Sequence, residues 1–395
     1  MKYSLACCYL THNHADVVKE ILDRCLSAYA DHGIDICIYD DSDDDTTKNL
    51  VEKYKTDGAE NLYYIDIHEV TSGDHKYYLI MQGYGLPKEY DYIWPSKDRV
   101  CFENSYLDNL CEAIDEGHDV IIGNCEGSRW DVGERVFRDV YTNPVEFYRL
   151  YAYASTNWEA LIRKRETMLN PIDWEEYEKQ YKVDKNNSFN QTVTLFVRLA
   201  EMNNCSIRIC RYAVNERFIS QKIESGWKSE IFSLWIDKWV SANFALPSIY
   251  DKYKAEAIKS ETNLSELFGS VERMIYFKEK NIYNNDIFEK YRTVWQFVSE
   301  IPIDYLEAIS KGDYPFALKG TIRDLEKSFE EGDFKKAWWI FSSNIWFSEV
   351  YGDELYLILV QYFNQYRKDM MLSGKSDVFN GIHSVQDLKQ MCDDL

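Results

Sequence analysis

Residues 35–47 read DICIYDDSDDDTT, and this stretch decides how the chain folds. Ile36, Ile38 and their neighbours form a short apolar, β-branched run of the kind that makes a buried strand. The run stops at five carboxylates in six positions: Asp40, Asp41, Asp43, Asp44 and Asp45. Thr46 and Thr47 then open the helical pattern KNLVEKY. Strand, acidic turn, helix is the geometry in which an open α/β sheet presents polar groups at the carboxyl ends of its strands, where ligands sit. An acidic loop that only caps a helix and faces water carries the same residue types. The flanking sequence therefore has to decide.

Upstream, residues 3–10 (YSLACCYL) read as a first buried strand ending in THNH. ADVVKEILDRCLSAYA follows with apolar residues at helical spacing, and Thr11, Asn13 and Asp16 are candidate helix-start residues. Downstream come NLYYIDIHEV as a third strand, SGDHKYYLIMQGYGLPK as helix and turn, and YDYIW as a fourth strand running into PSKDRV. FENSYLDNLCEAIDEG supplies another helix and DVIIGN, at 119–124, a further strand. Strands alternating with helices over short connections predict a parallel sheet with right-handed crossovers.

The 395 residues have room for two domains. An aromatic content of 15% accompanies sugar and other flat-faced ligands as well as ordinary cores. A net charge of −22 opposes a nucleic-acid groove and an anionic membrane surface, while leaving room for a local basic pocket for a diphosphate. Ten cysteines contain no CxxC pair, which predicts buried free thiols in a reducing compartment. No signal peptide and no membrane-length apolar run are read, so a cytoplasmic, soluble protein is expected, with the inner membrane face as a peripheral location. His12 and His14 lack a third ligand nearby and read as a polar loop. There is no GxSxG, Walker or GxGxxG motif.

Together, YSLACCYLTHN and ICIYDDSDDDTTKNLV resemble the opening of the family 2 glycosyltransferases of GT-A fold. Those enzymes show an apolar strand ending in T-x-N, then a strand ending in D-D-x-S-x-D-x-T. DYIWPSKDRV stands where that family runs into a D-x-D motif, and STNWEALIRKRETM, at 155–168, resembles a later strand ending in basic residues. The resemblance covers roughly residues 1–215. It implies a Rossmann-like, mostly parallel GT-A sheet and a nucleotide-sugar donor, UDP-linked. Carboxylates accept hydrogen bonds from base N–H groups and ribose hydroxyls. By resemblance, Asp40 or Asp41 holds the uracil or ribose, with Thr11, Asn13 and Ser42 beside it and Lys76 near the base or diphosphate. Asp43, Asp44 and Asp45 then cap the following helix.

Two positions depart from the family pattern. The D-x-D site reads Lys97-Asp98-Arg99, leaving Asp98 as the expected ligand of Mn²⁺ or Mg²⁺, completed by the donor's phosphates. Lys97 and Arg99 are the competing source of positive charge. The acid pair that carries the family's general base aligns with Gln191-Thr192, and glutamine is no base. Asp131, Glu159 and Asp184 are the remaining base candidates.

The character changes near residue 226, which sets the expected domains at 1–225 (GT-A) and 226–395 (all-α, five to seven helices). KGDY at 311–314 and EGDF at 331–334 recur as turn signals. The stripe Trp338, Trp339, Trp346 and Phe347 is either core or an exposed partner face, and homo-oligomerisation through these helices is one expectation. The architecture resembles bacterial transferases that extend adhesin glycans or build polysaccharide. The expected activity is inverting sugar transfer to a hydroxyl of a glycan or glycosylated protein. The alternative is a catalytically degenerate binding or scaffold subunit.

Overall fold

The computed structural model describes residues 2–68, 73–98, 100–102, 104–124, 138–168, 174–181, 189–202, 204–213, 216–217, 230–260, 268–341 and 354–393. The first elements follow the sequence pattern closely. They are β1 (Leu5–Thr11), α1 (Ala15–Asp31), β2 (Ile34–Asp40), α2 (Thr46–Thr56), β3 (Leu62–Asp66), α3 (Gly73–Met81), β4 (Tyr92–Lys97), β5 (Val100–Cys101), α4 (Asn104–Asp115) and β6 (Val120–Asn124). Then come β7 (Val140–Tyr141), α5 (Pro144–Tyr151), β8 (Leu161–Lys164), α6 (Arg165–Met168), α7 (Trp174–Tyr181), α8 (Asn190–Glu201), β9 (Ile207–Ala213) and β10 (Glu216–Arg217).

Eight strands form one sheet in the order β3-β2-β1-β4-β8-β6-β9-β7. β1 is parallel to both β2 and β4, and β3 to β2; β8 runs antiparallel between β4 and β6. This is a mixed, mostly parallel α/β sheet, followed by a C-terminal helical region. β1 and β2 are buried on both faces, which explains their mostly apolar sequences. Alternate residues go to opposite sides. Cys7, Tyr9, Ile36 and Ile38 pack in the cluster beneath α1 and α4, whereas Ala6, Cys8, Cys37 and Tyr39 pack in the cluster beneath α3. Burial pushes the Cys7 and Cys8 thiols well above their usual range, and Cys111 up to about 11. Cys25 departs from the expectation of free thiols, because it is disulfide-bonded.

The chain divides into two compact units, Met1–Trp227 with Ile231–Asn263, and Lys228–Glu230 with Leu264–Leu395. Helical residues read above as the start of the C-terminal part thus pack with the sheet. The reason is aromatic: Trp235 and Trp239 pack on Phe189 at the start of α8, and the Tyr148 hydroxyl donates to Asn243 Oδ1 at 2.7 Å.

The described residues from 239 to 393 hold at least eleven α-helical runs, one of them over 334–341, more and shorter than the five to seven helices expected. Gly312 and Gly332, with φ of 83° and 71°, end helices in the left-handed conformation that glycine tolerates. Asp313 and Asp333 then accept the backbone N–H groups of Phe316 and Lys336, so the repeated Gly-Asp signal is a stop followed by a start. Trp338 packs against the core of the second unit while Trp339 is 66% exposed; Trp346 and Phe347 lie outside the described residues. No helix among the described residues is long and apolar enough to cross a membrane.

Candidate functional site

The parallel register sets Thr11 opposite Asp40 and Leu10 opposite Lys97. The carboxyl ends of β2, β1 and β4 therefore lie side by side, and residues 11–14, 40–43 and 97–98 share one rim. That is where ligands sit in open α/β sheets.

Asp40 is fully buried. Its Oδ1 accepts the Ser42 backbone N–H at 3.0 Å and the Ser42 hydroxyl at 2.5 Å, and its Oδ2 accepts the Tyr64 hydroxyl at 3.1 Å. Burial, with the Asp40 charge beside it, pushes the Tyr64 phenol well above its usual range. Asp41 is also buried, but its partners are cationic or basic. Lys76 Nζ lies 2.5 Å from Asp41 Oδ1 and donates to the Thr11 carbonyl at 2.8 Å. His12 Nδ1 lies 3.0 Å from the same oxygen. Lys76, expected near the base or diphosphate, is itself buried and pins the ends of β1 and β2 together.

Asn13 has φ of 54°, a left-handed conformation that asparagine adopts more readily than most residues. The bend lets its backbone N–H reach Ser42 Oγ at 2.8 Å. Its amide exchanges two hydrogen bonds with Asp43, Nδ2 donating to Oδ2 at 2.7 Å and Oδ1 accepting the Asp43 N–H at 2.9 Å. Asp43 is thus a clamp between two loops rather than a helix cap. Asp44 accepts the Thr46 N–H at 2.9 Å, and the Thr46 hydroxyl and backbone hold its carboxyl below the usual range. Asp45 is the N-cap residue of α2 but makes no side-chain capping bond.

Asp98 stands at the centre of the rim. Its Oδ2 accepts the Thr11 hydroxyl at 2.9 Å and lies 2.7 Å from His14 Nδ1. His14 occupies the N-cap position of α1 without capping it, because its ring turns to Asp98. His12 and His14, read from the sequence as a polar loop, both reach carboxylates of the rim. The signal available was their place directly after a strand that ends in threonine.

Glu159 lies in a short 3₁₀ turn, Trp158–Ala160, that leads into β8. The antiparallel pairing of β8 with β4 carries it to the tip of β4, where Glu159 Oε1 lies 3.4 Å from Lys97 Nζ. The Glu159 carbonyl also accepts the Trp94 indole N–H at 2.8 Å. Arg99, Asp131 and Asp184 lie outside the described residues.

Gln191 and Thr192 are sealed inside the first turn of α8. The Gln191 amide donates to the Ser155 carbonyl, and the Thr192 hydroxyl lies 2.8 Å from Ser155 Oγ. Arg163, fully buried, donates to the Thr194 hydroxyl at 3.0 Å and to the Thr167 carbonyl, tying β8 to α6 and α8.

Among the described residues no group of three or more His, Cys, Asp or Glu side chains is placed to hold a metal ion. Asp98 offers one carboxylate, with the His14 ring against it. This donor set fits a divalent cation only with oxygens supplied by a bound diphosphate.

No protein-family model and no curated protein matches the chain. Solved structures similar to it include S. aureus TarS 1–349, at 15% identity and a TM-score of 0.47 over 83% of this chain and 92% of that one. TarS 1–349 in complex with UDP-GlcNAc gives 14% identity and a TM-score of 0.43 over the same shares. Mannosyltransferase PcManGT from Pyrobaculum calidifontis, in complex with GDP-Man and Mn²⁺, gives 12% and 0.42 over 79% of this chain and 88% of that one.

Proposed function

We propose that the chain transfers a sugar from a nucleotide-sugar donor, UDP-linked, to a hydroxyl of a glycan or glycosylated protein, with inversion. The supporting observation is the convergence of Thr11, Asp41 and Asp98 on one rim at three adjacent strand ends. In this reading the loop of His12, Asn13, Ser42 and Asp43 receives the nucleoside, with Asp40 and Asp41 fixing its shape from below. Lys97 and Asp98 face the diphosphate. When bound, Mn²⁺ or Mg²⁺ would be held by Asp98 and phosphate oxygens and supply positive charge to the departing nucleoside diphosphate. Of the three base candidates, Glu159 is the one that a described contact brings to the rim, through Lys97. A general base there takes the proton of the attacking hydroxyl.

A second reading, a binding or scaffold subunit that keeps the fold, is favoured by the sealed Gln191-Thr192 pair. A screen of UDP- and GDP-sugars, with and without Mn²⁺, for hydrolysis and transfer separates the two. Turnover with any donor supports the transferase; nucleotide binding without turnover across the panel supports the scaffold. Failure to bind any nucleotide would sink both.

A further inference from the structure

The opposite end of the same sheet carries a concavity. It lies where β1 and β4 begin and β8 ends, with a volume of about 770 Å³. That is within the range of small-molecule pockets, about 300–1,000 Å³. Ser4 and Thr11 are separated by the whole of β1, so the cleft and the rim stand roughly 20 Å apart at about 3.3 Å per residue.

The floor is rigid. Asp91 Oδ2 accepts both the backbone N–H and the hydroxyl of Ser4 at 2.8 Å, and the Arg165 N–H donates to the Asp91 carbonyl at 2.8 Å. Tyr90 is anchored through its hydroxyl to Asp35 at 2.8 Å and lines the cleft beside Tyr3. The walls mix donors and acceptors: Gln82, Glu89, Lys164, Arg165 and Glu166. Three carboxylates, counting Asp91, oppose an anion, and two basic side chains oppose a cation. A polar lining disfavours an apolar ligand. What complements alternating donors and acceptors beside tyrosine rings is an uncharged polyol.

We propose that this cleft is a second binding site, remote from the strand-end rim, for a neutral oligosaccharide. Its identification as a stretch of the acceptor glycan rests on the transfer proposed above; the binding itself does not.

Saturation-transfer NMR on the full chain, without nucleotide sugar, tests it with maltotriose, chitotriose and mannotriose against sialyllactose and inorganic phosphate. At least one neutral trisaccharide should bind. The double variant Glu89→Gln with Arg165→Met should weaken it by about tenfold, near 1.4 kcal/mol, and so should Gln82→Trp, which fills the cleft. Asp98→Asn should leave it unchanged. Glu89 is 90% exposed at its side chain and paired only across the surface with Arg165, so the double variant should fold, as its thermal unfolding will show. Failure of all three neutral sugars, preference for sialyllactose or phosphate, or loss in Asp98→Asn with retention in the cleft variants overturns the proposal. Donor turnover is measured separately, so a transferase that binds no saccharide here sinks the cleft and not the activity.

Discussion

The turn after β2 and the tip after β4 both close a parallel strand with aspartate, yet they are built in opposite ways. Asp40 draws on Ser42, two residues away in its own turn, and on Tyr64 from the neighbouring strand; all its described partners are neutral donors. Asp98 draws on Thr11 and His14, more than 80 residues away, and both contacts are side chain to side chain. A carboxylate bound by its own backbone is part of the scaffold. One held by side chains from another strand end can exchange them for a ligand. In the proposed reading, the acid-rich turn shapes the site and Asp98 works in it.

Three measurements would break or sharpen that contrast. Lys76→Met should have the largest effect, because it leaves the buried Asp41 carboxylate without its cation, a loss of about 3–5 kcal/mol. Urea unfolding measures it, and a change below about 1 kcal/mol would mean that the pair does not hold the turn. Asp98→Asn should lower donor turnover by about 100-fold, the scale for removing one preorganised electrostatic group, while the urea midpoint stays near wild type. Equal damage to stability would put Asp98 among the scaffold residues with Asp40. Tyr64→Phe removes one donor from buried Asp40 and should cost about 1 kcal/mol of stability; unchanged unfolding would show that Ser42 alone satisfies it.

The smallest effect lies outside both regions. Partial burial pulls the His32 imidazole down, but the Ala28 carbonyl and Asp108 outweigh it, so its pKa is raised. A raised folded pKa contributes stability that is full below the unfolded value of about 6.5 and disappears as pH rises through the folded one. His32→Gln should therefore cost less than about 1 kcal/mol at pH 5.5 and nothing measurable at pH 8.5. A loss of the same size at both pH values would show that packing, not charge, is what His32 contributes.

Much of the sheet was legible because its signals are local. Ile34–Asp40 is mostly apolar because both faces of β2 are covered, and α1 shows helical spacing because one face packs on the sheet. The short strands β7 and β10, two residues each, carry no periodicity to read. The helical boundary was blurred because residues 231–263 have the same amphipathic spacing whether they pack on a sheet or on other helices. What distinguishes them is the contact of Trp235 and Trp239 with Phe189, more than 40 residues upstream. Within the site, Thr11, Asp41 and Asp98 could be named from strand-end motifs. For His14 the signal was only its place after a strand ending in threonine, since a histidine at a helix start reads as a polar loop until β4 brings an aspartate to it.

By itself, the sequence determined the strand-turn-helix order, the location of the polar groups at strand ends and the parallel character of the sheet's first half. Each of those depends on residues within a few positions of one another, where periodicity and turn chemistry suffice. Only the tertiary structure decided which carboxylates are spoken for. Asp40 and Asp41 are adjacent in sequence and equivalent by composition. Tyr64 and Ser42 neutralise the demands of the first, and Lys76 and His12 those of the second, because the strand register brings different neighbours to each.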